Sequence, residues 1–509
     1  MRNRRHVVAL VANDITNDSR VLKEAAVLAD AGLRVTLLGV SQDGRPTVDT
    51  MDGRAVLARL PGAFRFKEAR LDRRRRRRDW RLPLLGAHVP AEVSLRKALL
   101  AARGADPHLG SGPGRKLGHQ LRQVAFLAAR ARGLAIRYEN RAFKFGWRAW
   151  DGVVSRTPWA VSWPAVVPEA YDYEAIFGPV IDRLAPDVVH AHDMHVIGVA
   201  VRAAARARTA GRTIKVVYDA HEYVPGIARY GGRTRRFIAA WANHERDYLP
   251  AADRVVTVSP AIAGRLEREH ALDRTPEVVL NTPDVPEVVP MTDDIRSRTG
   301  LPRKVPLLVY SGGITVVRGI DTVIRALRRL PEVHLAVVAV PSPEVPAVDV
   351  LRKLAADLGV TERVHFVHPV EPRAVTTFLA TADAGVIPML RAPNHEMALP
   401  NKLFEYSLAA LPLLVSDMAS MREFVTGYGV GEVFAAGDPD DFAARAEVLL
   451  ERRDVYREQL AVPAFRTDIA WSGQAARLRK LYAELLGHEL GEGIPVRSEE
   501  VDAVRQAVS

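Results

Sequence analysis

Residues Val7–Val40 read VVALVANDITNDSRVLKEAAVLADAGLRVTLLGV. Two runs rich in β-branched residues, Val7–Val11 and Val35–Val40, flank Ser19–Ala31. Within that middle stretch Val21, Leu22, Ala25, Leu28 and Ala29 recur at helical spacing, and Gly32 follows as a C-cap. The reading is strand, helix, strand. The strand runs are continuously apolar rather than alternating, as expected for a parallel sheet covered by helices on both faces.

The same rhythm continues through Ala55–Ala58, Val188–Ala191, Val216–Tyr218, Val255–Val258 and Val278–Leu280. A Pro- and Asp-rich stretch, Asn281–Lys304, interrupts it as a linker. The rhythm restarts at Leu307–Ser311 and runs through His334–Val340, Val364–Val367, Gly385–Ile387 and Leu413–Ser416, with helices between, including Pro372–Ala380 and Pro400–Ala410. The predicted class is therefore α/β, with two Rossmann-like doubly wound domains, 1–290 and 291–470, facing a cleft. Ligands of such folds bind at the carboxyl ends of the strands. A helix within 471–487 is expected to pack back across the cleft, and the polar tail 488–509 to be loose.

Composition narrows the chemistry. The 509 residues are 48% apolar and 26% charged, an ordinary globular balance, and contain no cysteine. Disulfides, thiolate metal sites and a cysteine nucleophile are excluded. No apolar run is long enough to span a bilayer, and the first one stops at Asn13, too soon for a signal peptide. A cytoplasmic protein is expected. The net charge of +12 is concentrated in residues 54–150, which carry 24 basic and 6 acidic side chains. That basic, helical insert of the N-terminal domain holds Arg73–Arg78 and the aromatic–basic run Arg137–Trp150.

The segment ALPNKLFEYSLAALPLLVSD, Ala398–Asp417, carries the most chemical information. Pro400 suits the first position of a helix, whose free N–H groups and dipole favour an anion such as phosphate. Lys402 adds charge in the first turn, and Glu405 lies three residues on, on the same face. A carboxylate there accepts hydroxyl hydrogen bonds, as from a ribose. Phosphate plus sugar describes a nucleotide. His190, His192 and His195 invite a metal reading, but alternation puts only His190 and His192 on one face, so no metal and no cofactor are expected.

This segment resembles the donor-binding helix of retaining glycosyltransferases of family 4, which have the GT-B double-Rossmann fold, in the branch with a PNKLFEY helix. ANDITNDSRVLKEAAVLADAGLRVTLLG, DVVHAHD, VVYDAHE, VVTVSPAIAGRL, VVLNTPD and LVYSGGITVVRGIDTVIRAL resemble further family segments in the right order. The resemblance spans roughly Val7–Ser41 and Tyr171–Leu486 and leaves the basic insert uncovered. It implies that Glu405 binds the nucleotide ribose, that Arg318 beside Gly319 stands for the phosphate-binding lysine, and that His221 lies near the donor sugar. The partner arginine is replaced by Gly313, and the first acid of the E-x7-E pair falls at Met397, with Glu396 one residue earlier. The resemblance then implies a donor set of Gly312, Gly313, Arg318, Glu396, Asn401, Lys402 and Glu405, and His221, Arg318 and Lys402 as the catalytic residues. Asn13, Asn17, Arg20 and His192 fall on the side where family members meet phosphate or acceptor.

The expected activity is retaining, metal-independent transfer of a hexose or related sugar from a nucleotide sugar to a glycan, lipid-linked or small-molecule acceptor, as in polysaccharide biosynthesis. A nucleotide-sugar epimerase on the same fold is the rival enzyme, and a catalytically silent nucleotide- or glycan-binding partner is the rival of another class. The basic insert points to an anionic membrane surface, at the inner face of the plasma membrane, with a solvated or disordered arm as the alternative and nucleic acid the weakest reading.

Overall fold

A computed structural model of the protein describes residues 4–16, 18–79, 124, 127–128, 131, 161–229, 233–283 and 293–509. The chain divides into two compact units. One comprises Met1–Ala63, Ala170–Gly231 and Trp241–Ser509 and holds both sheets; the other comprises Phe64–Glu169 and Gly232–Ala240.

The first sheet contains β1 (His6–Leu10), β2 (Arg34–Ser41), β3 (Thr47–Met51), β4 (Ala55–Pro61), β5 (Val188–His192), β6 (Lys215–Ala220), β7 (Arg254–Thr257) and β8 (Glu277–Val278). Their order is β3-β4-β2-β1-β5-β6-β7-β8, parallel except for the antiparallel β3. The second sheet contains β9 (Leu307–Gly313), β10 (His334–Val340), β11 (Val364–Val367), β12 (Ala384–Ile387), β13 (Leu413–Ser416) and β14 (Gly431–Phe434), ordered β11-β10-β9-β12-β13-β14 and wholly parallel. Both sheets are doubly wound. The chain leaves β1 in one direction and returns to β5 beside it; it leaves β9 in one direction and returns to β12 beside it. Each reversal opens a crevice at the strand ends.

Both faces of the second sheet are buried. Leu307, Val309, Ala336, Val338, Leu413 and Val415 join one apolar cluster, while Leu308, Tyr310, Leu335, Val337 and Leu414 join the other. This is why the strands read as unbroken apolar runs, since every position is worth about 1.5–3 kcal/mol when its side chain leaves water.

The structure differs from the sequence expectations at several places. Ala55–Pro61 is a sheet strand, so the stretch from 54 begins inside the first sheet rather than in an insert. The short strands β3 and β14 were not foreseen. In the second unit, Arg73–Arg78 falls on the helix Arg65–Asp79, and Arg70 makes a two-pronged pair with Glu169 at 2.9 and 2.7 Å. The run Arg137–Trp150 lies outside the described residues.

The expected return helix forms as Trp471–Leu486. Its Trp471, Leu478, Leu481 and Tyr482 are buried in the same cluster as Val7, Ala9, Val35 and Leu37 of the first sheet. The segment 488–509 is not loose. Ser498–Val508 is a helix whose Glu500, Val504 and Ala507 are buried. Arg183 Nε donates to the Ala507 carbonyl at 2.8 Å, and Arg4 pairs with Glu500 at 3.5 Å. The three buried positions follow a helical stripe, hidden in the sequence by the charged residues around them. Truncation after Gly487 is expected to lower the thermal unfolding midpoint by several degrees, as read by calorimetry; a loose tail would leave it unchanged.

Candidate active site

The crevice of the second sheet is lined by the loop after β9 and by the segment after β12. Gly312 is at φ +135°, and a Cβ there would lie 3.0 Å from Lys402 Nζ. A side chain is thus excluded by backbone conformation and by the close approach of the ammonium. The loop continues through a 3₁₀ turn, Val316–Arg318, to Gly319, whose φ of +68° and missing Cβ let it lie against the Pro388 carbonyl that follows β12. The Leu390 N–H donates to the Val317 carbonyl at 2.9 Å and binds the two segments together. Gly313 has room beside it, since a Cβ would meet only the Val340 carbonyl at 4.0 Å.

Asn401–Leu408 is a helix with Pro400 at its N-cap, one residue before the first helical position expected for it. Asn401 therefore opens the first turn and is exposed, while Lys402 is buried. The Lys402 ammonium lies 3.8 Å from the centroid of the Tyr310 ring, a cation–π contact. Among the described residues no carboxylate forms an ion pair with Lys402 or Arg318. The Arg318 guanidinium lies 3.6 Å from the Met389 sulfur. Burial, with Arg318 nearby, lowers Lys402 from its ordinary value to about 7, and burial pushes the Glu405 carboxyl up. Two cations with no ion pair among the described residues, a carboxylate and a glycine cradle thus meet at one strand end. The arrangement can hold an anion with hydroxyls beside it.

Glu396 does not join this group. Its carboxylate accepts from Arg391 at 2.8 Å and from the backbone N–H of Ala419 at 3.0 Å, at the start of the helix Ala419–Tyr428. Arg391 pairs in turn with Asp417 at 2.5 Å. Glu396 lies on the short helix Pro393–Met397, and its carboxylate meets a free N–H at the start of the helix Ala419–Tyr428.

The crevice of the first sheet holds a buried charge network. Arg20 donates through Nε and Nη2 to the two oxygens of Asp219, at 2.7 and 2.8 Å, and through Nη1 to the Val279 carbonyl at 2.6 Å. It also pairs with Glu24 at 3.0 Å. Arg20 was expected on the phosphate or acceptor side, but its donors are already committed. Asp219 Oδ2 further accepts from His192 Nδ1 at 3.2 Å and from His221 Nε2 at 3.0 Å. His190 and His192 stack with centroids 4.3 Å apart, on one strand face as alternation required, while His195 lies against Trp241. His190 Nδ1 is 3.0 Å from the Tyr482 hydroxyl of the return helix.

Glu24, His190, His192 and Asp219 bring four ligand-type atoms within 4.8 Å of one another, but the Arg20 guanidinium already engages both Asp219 oxygens and Glu24. Burial would raise Asp219; the Arg20 and His221 charges instead hold it well below the carboxylate range. Burial pulls His221 down, yet the Asp219 charge and hydrogen bond outweigh it and raise the imidazole to about 9. Asn13 shapes its loop, accepting from Ile15 N at 2.7 Å and donating to Asp18 at 2.9 Å. Asn17 lies outside the described residues.

The two crevices are linked within the first unit. Lys23, on the helix Ser19–Asp30, donates to the Thr282 carbonyl, stands 4.6 Å over the Trp471 ring and is felt electrostatically by Glu405. Sequence reasoning missed Lys23, Gly319's role as a spacer and Asp219. The last stands inside the quoted DAHE and could have been noticed as a carboxylate two residues before the histidine.

Two family models match the chain in succession: "Glycosyltransferase Family 4" over residues 114–285 and "Glycosyl transferases group 1" over residues 291–461. The chain belongs to glycosyltransferase family 4. The first match begins at 114, so the family 4 likeness enters the stretch read from sequence as an uncovered insert. Curated relatives include the D-inositol 3-phosphate glycosyltransferases of Xylanimonas cellulosilytica, 29% identical over 43% of this chain and 52% of that protein, and of Nocardia farcinica, 26% identical over 48% and 55%. The chain thus spans about half the length of the curated relatives it matches. Among solved structures, sucrose-phosphate synthase of Thermosynechococcus elongatus superposes with a TM-score of 0.62 at 14% identity, over 95% of this chain and all of that one. Anabaena HepE in complex with UDP gives 0.54 at 13% identity, over 95% and 99%. These likenesses establish the GT-B fold for this family 4 chain.

The lowered Lys402 has a measurable consequence. Between about pH 7 and its ordinary value of 10.5, the folded chain lacks a proton there that the unfolded chain holds, so stability contributed at this site rises with pH. An anion beside Nζ restores the proton. Binding of inorganic pyrophosphate at pH 8 is therefore expected to take up more protons in wild type than in Lys402→Met, as read by calorimetry in two buffers of different ionisation enthalpy.

Proposed function

We propose that the protein is a retaining glycosyltransferase that moves a hexose or related sugar from a nucleotide sugar to a glycan, lipid-linked or small-molecule acceptor. The observation that carries the reading is Lys402 at the Gly312 cradle with Arg318 and Glu405 beside it, neither cation having a carboxylate ion pair among the described residues. In this reading the diphosphate lies against the two cations and the start of the helix Asn401–Leu408, and Glu405 accepts from the ribose hydroxyls. His221, at the end of β6, donates to the sugar. Similar folds have been solved with UDP and with UDP-2-fluoro glucose, which makes a uridine nucleotide the first donor to try.

The transfer itself breaks the bond from the anomeric carbon to phosphate oxygen and forms one to the acceptor oxygen on the same face. The departing diphosphate takes the acceptor proton. Charge accumulates on that diphosphate, and fixed cations placed where it develops lower the barrier, each by roughly 2.7–4 kcal/mol if they act like other preorganised donors. Side chains supply this charge, so chelation with EDTA is expected to leave turnover unchanged.

A screen of UDP-, GDP-, ADP- and dTDP-sugars by thermal shift, followed by nucleotide release with and without acceptors, tests the assignment. Lys402→Met and Glu405→Gln are expected to lower turnover of the selected donor by about 100-fold or more and by about 10-fold respectively. Near-wild-type turnover in both would remove the site. Gly313→Arg, for which the loop has room, is expected to tighten binding of the nucleoside diphosphate by adding a third cation.

The helix Arg65–Asp79, with Arg73–Arg78 along it, is assigned to an anionic membrane surface. No described helix is long and apolar enough to cross a membrane. Flotation of the protein with vesicles containing acidic lipid, and its failure with neutral vesicles, is the expected result.

A further inference from the structure

His221 is the one part of the first crevice's charge network that reaches the surface. Its side chain keeps 22% of its exposure, whereas those of Arg20, Glu24, His190, His192 and Asp219 keep 3% or less. Nε2 is taken by Asp219 Oδ2 at 3.0 Å. Among the described residues Nδ1 has no hydrogen-bond partner, so it is the nitrogen left for a ligand. Asp219 cannot swing away to release the ring. It is buried on β6, and its two oxygens accept four hydrogen bonds, two of them from a single guanidinium. Arg20 is itself fixed by Val279 at the end of the first sheet and by Glu24 one turn along its own helix.

We infer that Asp219, held by Arg20, is a positioning residue for the transfer: it grips His221 through Nε2 and so presents Nδ1–H as a fixed donor to the sugar of the nucleotide donor. This rests on the reading of His221 given above and adds a second residue to it. A carboxylate accepting from one ring nitrogen fixes the orientation of the ring and favours the imidazolium, in which the other nitrogen also carries a proton. The groups facing His221 are Asp219 on its own strand, Asp193 and His192 at the end of β5, His190 on the same strand, and Arg20 and Glu24 on the helix Ser19–Asp30. Asp219 and Asp193 favour the imidazolium and Arg20 opposes it; the net result is a ring that holds its second proton up to about pH 9. The donor at Nδ1 therefore persists through neutral pH.

The test combines a titration with a rate profile. In histidine-labelled protein, with His221→Gln to assign the resonance, the wild-type His221 ring is expected to titrate near pH 9, and in Asp219→Asn near the ordinary 6.5. Turnover of UDP-glucose should follow. The basic limb of its pH profile falls with the ring, so Asp219→Asn loses about thirty-fold relative to wild type at pH 8 and far less at pH 6. A change confined to folding would lower both ends of the profile alike. A wild-type ring titrating at or below 6.5 overturns the proposal, as does an Asp219→Asn profile with its basic limb unmoved. Should Asp219→Asn not fold, because Arg20 is left buried without its counter-charge, the wild-type titration decides alone. Absence of wild-type turnover with every donor in the screen would count against glycosyl transfer itself, while the titration still judges the link between Asp219 and His221.

Discussion

A guanidinium sealed from water must meet acceptors on every side, and Arg20 organises the first half of this protein because it does. Its two donors on Asp219, one on Val279 and its contact with Glu24 draw together the helix after β1, the end of β6 and the departure from β8. These are the elements around the crevice where the first sheet reverses. Once Asp219 is fixed, His192 and His221 are fixed with it, and the stacked His190 carries the order on to Tyr482 of the return helix. Removing either partner of the central pair would leave the other charge buried and unpaired, a penalty of about 3–5 kcal/mol. That penalty explains how a polar network survives in the middle of an apolar sheet.

The second crevice follows the opposite logic. Among the described residues its cations have no ion-pair partner, and Lys402 faces Gly312 with the Tyr310 ring beneath the ammonium. Burial makes Lys402 easy to deprotonate, and an anion reverses that. One half of the protein therefore pairs its buried arginine internally, while the other leaves its lysine and arginine without an ion pair among the described residues. In the proposed reading that difference separates a positioning network from a binding site, and Lys23 joins the two crevices by reaching from the helix Ser19–Asp30 to the Thr282 carbonyl and Trp471.

Much of this could be read in the residues. The continuous β-branched runs marked ten of the strands in the two doubly wound sheets besides β4 and β8, since helices bury both faces and leave no alternation to misread. Lys402 and Glu405 stood three apart at a helix start, and local spacing alone put them on one face. What could not be read has physical causes of another kind. Glu396 is assigned from its place beside Met397, but a helix that starts at Ala419 offers it an unpaired N–H. Arg20 was placed among ligand contacts because nothing local reveals a partner 199 residues away. The terminal helix was overlooked because three buried positions among charged neighbours make a faint stripe.

Sequence by itself determined what short-range physics controls: which runs extend, which coil, that a helix follows Pro400, and that a lysine and a glutamate share its first turns. Tertiary structure alone decided which charges would be spent and which kept. Arg20 and Glu396 were consumed by partners far along the chain, while Lys402 and Arg318 were left without them. The energy of a buried charge depends on whatever the fold brings within a few ångströms of it, and that neighbourhood is written in no single stretch of the chain.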